Sequence, residues 1–150
     1  VTPNWQMELE EEAIWMLGEE APWPSGGEID LMEHLNSDDI VYQTVHSGYT
    51  QAGNKTNPAA GATAPIDKAA FNIYSVEVYP NELVFLVNDR VTHRYPRLVP
   101  AAENQFPFRD RDFYLILSAQ LGGNWVGAVN PDDLPLQMEI DWVRYYRKKE

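Results

Sequence analysis

Gly27-Glu28-Ile29-Asp30-Leu31-Met32-Glu33 places three acids within six residues, with apolar residues between them. Trp23-Pro24-Ser25-Gly26 stands before it and His34 follows. Two local structures compete for this stretch. Ser25-x-x-Glu28 fits a helical capping box, and Ile29, Met32 and Leu35 fall near helical spacing. That helix would carry Gly26 and Gly27 in its first turn, where each costs up to about 1 kcal/mol relative to alanine. It would also be barely two turns long. The segment by itself leaves helix and strand open. The strand makes the sharper demand. Glu28 and Asp30 share one face and Ile29 and Leu31 the other. Glu33, at odd spacing from Glu28, then falls on the apolar face, where an unpaired carboxylate is costly. One extra residue at Leu31-Met32, a β-bulge, returns Glu33 to the face of the other two acids. A strand with a bulge is therefore the expectation.

Outward from this stretch the chain reads as β-structure. Ala13-Ile14-Trp15-Met16-Leu17, closed by Gly18, is an apolar run of buried-strand length, with Trp15 assigned to the core. The acidic run Met7 to Glu12 before it reads as a solvated face. After a turn at Asn36-Ser37-Asp38-Asp39, Val41, Gln43 and Val45 alternate with Tyr42, Thr44 and His46. Residues 47–70 have no clean period and read as a long surface loop, functional or mobile. Strand patterns follow from Phe71 to Val78, from Leu83 to Val87 and from Val91 to Tyr95, with Asn88-Asp89 as a hairpin turn. A further strand from Asp112 to Leu121 sets Phe113, Leu115, Leu117 and Ala119 opposite Tyr114, Ser118 and Gln120. Leu136, Met138, Ile140 and Trp142 alternate with Gln137, Glu139, Asp141 and Val143 in the last expected strand, before a basic end at Arg147-Lys148-Lys149. Many short strands with long loops and no long helical pattern predict an all-β protein, an antiparallel β-sandwich in a single domain over residues 1–150.

Composition narrows the function classes. Apolar residues at 44% and charged residues at 23% describe a globular chain rather than a disordered one. The formal net charge of −12 repels nucleic acid and anionic lipid, so neither is an expected partner. No run approaches the roughly 20 apolar residues of a transmembrane helix. The absence of cysteine excludes disulfides and thiolate metal sites.

A row of carboxylates on a sheet has a chemical use. Retaining glycosidases set a nucleophile and an acid/base carboxyl about 5–5.5 Å apart across the scissile bond. Side chains on one strand face repeat about every 7 Å, a spacing that twist and a bulge can close. Glu28 to Glu33 resembles the E-x-D-x-x-E motif of glycoside hydrolase family 16 in its bulged, laminarinase-like form. The approach through Ala13 to Gly18 and Trp23-Pro24 is similar to that family. So are Phe71 to Val78 with Asn88-Asp89, Phe113 to Trp125, and Met138 to Tyr146. The resemblance runs in family order over most of residues 13–147.

The resemblance implies a β-jelly roll with a concave substrate groove. It implies endo-acting, retaining hydrolysis of β-1,3 or mixed β-1,3-1,4 glucan without a catalytic cofactor, in a secreted, periplasmic or cell-surface protein. By motif position Glu28 is the nucleophile, Asp30 its helper and Glu33 the acid/base. His46 corresponds to a histidine that members carry beside the acids; otherwise it is a structural histidine. Trp23 and Trp125 are candidates for stacking on sugar rings, or else for core packing. Gln120 is a candidate to bond a sugar hydroxyl, or else a plain edge residue. Some members hold a structural calcium, for which Asp141 matches a ligand. The family domain has strands before the motif that are not seen ahead of Ala13. Those strands are expected from a longer chain of which this is a fragment, from a second chain that completes the sandwich, or from a native sequence with which this one is not continuous. Two alternatives stay open: a non-catalytic β-glucan-binding module, and a hydrolase of a related polysaccharide such as agar or porphyran.

Overall fold

A computed structural model describes residues 9–36, 38–109, 111–135 and 137–147. Among these residues eight strands, all paired antiparallel, form two sheets. They are β1 (Leu9–Gly18), β2 (Glu28–Asn36), β3 (Ile40–His46), β4 (Gly61–Pro65), β5 (Tyr74–Val78), β6 (Glu82–Val87), β7 (Arg90–Pro96) and β8 (Phe113–Gln120). The larger sheet runs β4-β3-β2-β1-β8, and the smaller runs β5-β6-β7. A single helical turn, α1 (Gly48–Gln51), follows β3. Among the described residues no helix is long and apolar enough to cross a membrane.

Alternation builds the core between the sheets. Ile29 and Leu31 from β2 and Val45 from β3 meet Leu83, Phe85 and Tyr95 from the smaller sheet, with Phe108 from the loop before β8. The bulge supplies the second part of the core. Asp30 pairs with Thr44 and Glu33 with Tyr42, so β2 spends one more residue than β3 over this span. On the other side Met32 pairs with Ile14 and Asp30 with Trp15, and the same irregularity recurs. Leu31 and Met32 are consequently both buried, Met32 with Val41, Ala64 and Val87, and Glu33 stays off the core. A bulge leaves a backbone group without its ladder partner. The amide of the fully buried Gln43 donates to the Leu31 carbonyl at 3.0 Å, and its own carbonyl accepts from the Thr92 hydroxyl.

Most strand expectations hold, including the Asn88-Asp89 turn. Both residues have positive φ, 50° and 62°, between the paired Val87 and Arg90. Five differ. Glu11 and Glu12 belong to the interior strand β1 and are half-buried, not a solvated run; Met7 and Glu8 lie outside the described residues. The stretch 47–70 contains α1 and β4, so it is not all loop. The strand after residue 70 starts at Tyr74, and Phe71 is exposed. Trp15 is half-buried on the opposite face from the core residues Ile14 and Met16. Finally, residues 137–147 join neither sheet, although Leu136, Lys148 and Lys149 fall outside the described residues. Alternation gives that stretch the propensity for a strand, but a strand needs a neighbour to receive its hydrogen bonds, and the described residues provide none. Met138 packs on the core, while Ile140, Trp142, Val143, Tyr145 and Tyr146 are exposed.

Candidate active site

The outer face of the larger sheet carries the acids. Cross-strand partners share a face, so the register assembles the site. Glu28 opposes His46 and Leu17, Asp30 opposes Thr44 and Trp15, and Glu33 opposes Tyr42 and Ala13. From the next strand Ser118 opposes Ala13 and Gln120 opposes Glu11. Glu28, Asp30 and Glu33 thus line one cavity of about 180 Å³ with Glu11, Ala13, Trp15, Ser118 and Gln120. The loop entering β2 is held closely. Gly27 has φ +87°, and a Cβ there would meet Phe108 and Pro107 at 2.8 Å.

Each acid has a different environment. Glu28 accepts a hydrogen bond from the Trp23 indole N–H at 2.8 Å, and His46 Nε2 stands 3.7 Å from its other oxygen. Asp30 is almost fully buried, with His46 Nε2 3.2 Å from its Oδ2. That contact is off the hydrogen-bond direction, so Oδ2 has a close polar neighbour without an aligned donor. Among the described residues Glu33 accepts only a long bond, 3.3 Å, from the Thr44 hydroxyl.

These surroundings set the charges. Burial pushes the Glu33 carboxyl up to about 7, helped by the charges of Asp30 and Glu11 and opposed by His46 and the Thr44 bond. Burial and the Asp30 charge also raise Glu28, but His46 and the Trp23 N–H work against that. Asp30 is raised by burial against the pull of His46 and a hydrogen bond with Glu28. Burial works to lower His46, yet the adjoining Asp30 carboxylate, with the charges of Glu28 and Glu33, leaves it above its ordinary value. Two carboxyls on one face with their proton affinities pushed apart can serve as acid and nucleophile.

The remaining expected residues divide into two groups. Trp23 is 54% exposed beside the Glu28 end, its ring 6.4 Å from that of His46. Trp125 is equally exposed at the Glu33 end, edge-on to Tyr42 at 5.4 Å. Neither is core, and both are free to meet a ligand. Gln120 lines the cavity. Asp141 is not among the residues that line it. It is exposed in the stretch after β8, and among the described residues no group of three acid or histidine ligands includes it. Sequence reading missed Glu11, Trp15 and Ser118 as groove residues. The signal was parity: residues 11, 13 and 15 share a face, and Ser118 had already been set on the polar side of its strand.

The sequence profile of glycosyl hydrolases family 16 matches residues 11–144. The chain belongs to this family. Among curated relatives, a keratan-sulfate endo-1,4-β-galactosidase of Sphingobacterium multivorum is 39% identical over 90% of this chain and 32% of its own length. A β-glucanase of Rhodothermus marinus is 38% identical over 90% of this chain and 51% of its own. The solved laminarinase of Rhodothermus marinus superposes with a TM-score of 0.73 at 30% identity, covering 86% of this chain and 56% of that one. The chain thus spans a third to a half of these two curated relatives, and the family 16 jelly roll is represented by two sheets that do not close.

Proposed function

We propose that this family 16 chain forms the catalytic face of an endo-acting, retaining hydrolase of β-1,3 or mixed β-1,3-1,4 glucan. Glu28 attacks the anomeric carbon while Glu33 protonates the leaving oxygen. Water then displaces the sugar from Glu28 with Glu33 as base. Asp30 holds Glu28 in place, and Trp23, His46, Gln120 and Trp125 border the sugar. The observation that carries the reading is the bulge, which sets Glu33 beside Glu28 and Asp30 where its carboxyl is raised to about 7. A second reading has support as well. The galactosidase and the glucanase are equally similar to this chain, so a β-galactan of the keratan or agar type is the alternative substrate.

A reducing-sugar screen of the full-length protein on laminarin, lichenan, barley β-glucan, agar and keratan sulfate decides between these. Product fresh from the enzyme, followed by proton NMR, should have the β configuration. An α product overturns retention. Oligosaccharide binding without release from any of the five overturns hydrolysis in favour of a binding module.

Action on an extracellular polysaccharide goes with a secreted, periplasmic or cell-surface location. Leu115 and Leu117 lie on the core-side face of the edge strand β8 and are exposed, at 39% and 42%. Further strands, from a longer chain or a partner, are the natural cover for them.

A further inference from the structure

Directly after His46 the chain folds into α1, a single helical turn held more firmly than a surface loop requires. Ser47 and Thr50 are fully buried and cap one another. The Thr50 N–H donates to Ser47 Oγ at 3.3 Å, and the Ser47 N–H donates to Thr50 Oγ1 at 2.9 Å. Gly48 fits tightly against the loop before β8, since a Cβ there would lie 2.8 Å from Asn104 Cβ. The Tyr49 N–H donates to the Asn104 carbonyl at 3.1 Å, and the Tyr49 hydroxyl to the Asn57 carbonyl at 3.1 Å. This turn presents Gln51, whose amide nitrogen lies 2.7 Å from His46 Nδ1.

That contact fixes what the other ring nitrogen carries. A neutral imidazole has one N–H and one acceptor nitrogen. With an amide N–H directed at Nδ1, the ring proton resides on Nε2, the atom that faces Asp30 at 3.2 Å and Glu28 at 3.7 Å. When the ring gains a second proton, a half turn of the amide offers its carbonyl to the Nδ1 proton. The charged groups facing the ring are Glu28, Asp30 and Glu33, all from β2. The Trp23 ring closes one side, and β4, on the far side of β3, has no charged residue. A carboxylate at position 51 would be one more anion beside the ring, and would hold it as imidazolium.

We propose that Gln51 is a positioning residue that keeps the His46 proton on Nε2, facing Asp30 and Glu28, without forcing a full positive charge on the ring. The consequence for turnover rests on the hydrolase reading above; the state of the ring does not. Nitrogen-15 NMR of the free protein reads that state directly. In the wild type the neutral ring should carry its proton on Nε2. In Gln51→Met the proton should divide between the two nitrogens, and in Gln51→Glu the imidazolium should persist to higher pH. On the glucan that proves to be the substrate, Gln51→Met should lower kcat about three- to tenfold with little change in KM, the scale of one hydrogen bond. Identical tautomer and titration of His46 in wild type and both variants would overturn the proposal. An inactive wild type whose His46 signals still respond to the substitutions would sustain it and instead overturn the hydrolase reading.

Discussion

The two ends of the acid row hold the same residue type in unequal conditions. At one end burial and the Asp30 charge raise Glu28, while the Trp23 N–H at 2.8 Å and the nearby His46 restrain that rise. At the other end Glu33 has one long hydroxyl bond, and burial with the charges of Asp30 and Glu11 favours its neutral form, raising it to about 7. Sequence spacing does not create this difference. Asp30 and His46 act on both ends; the difference arises because the Trp23 N–H opposes the rise at Glu28, whereas the Glu11 charge adds to it at Glu33. The lesson is that a symmetric motif acquires a direction from the strands on either side of it.

Breaking the Glu28 end should have the largest effect. Glu28→Gln should reduce turnover beyond about 10⁴-fold, more than acid–base help alone supplies, while oligosaccharide binding survives in calorimetry. Near-normal release of reducing sugar would place the nucleophile elsewhere. Glu33→Gln should cost about 10²–10⁴-fold on polysaccharide. Much of that loss should be absent on an aryl glycoside whose leaving group needs no proton, and an equal loss on both substrates would remove Glu33 from the acid role.

The same substitution should change stability in a pH-dependent way. Glu33 has a raised folded-state pKa, so its contribution is fully present below the ordinary value of 4.5 and is lost as pH rises through about 7. Thermal melts should therefore show Glu33→Gln gaining on the wild type by about 1–3 kcal/mol above pH 7, with the gap closing below pH 4.5. A gap that does not vary with pH would mean that Glu33 is not raised.

Smaller changes sharpen the contrast. Trp23→Phe keeps the ring and removes the donor, so the Glu28 pKa should rise. The acid limb of kcat/KM should shift to higher pH by roughly half to one unit, the worth of one hydrogen bond. Thr44→Val should have the least effect. Its hydroxyl lowers the Glu33 pKa, so its loss should raise the alkaline limb by about 0.4 unit or less. A downward movement would contradict the assignment of that bond.

Much of this was legible in the sequence where period-two alternation coincided with strong side chains. Ile40 to His46 sorts its residues as expected, and the need to keep Glu33 out of the core predicted the bulge at Leu31-Met32. Three features were not legible, each for a physical reason. Strand β4 is Gly-Ala-Thr-Ala-Pro, poor in β-propensity, and forms because β3 offers it an edge. The stretch 137–147 has the opposite trouble: good propensity and no partner among the described residues. Glu11 was read with its charged neighbours as solvated, because local charge density hides parity. The register with β8, pairing Glu11 with Gln120, shows that it faces the groove.

The bulge also bears on how this strand could change length. Glu28 and Asp30 keep even spacing, so removing either Leu31 or Met32 would leave the last acid two residues after Asp30, still on the groove face. The acid row is thus insensitive to a one-residue deletion there, although a deletion elsewhere in β2 would invert part of the strand. The loss would fall on the core, where Met32 would leave the company of Val41, Ala64 and Val87, and on Gln43, whose amide would no longer have the freed Leu31 carbonyl to bind.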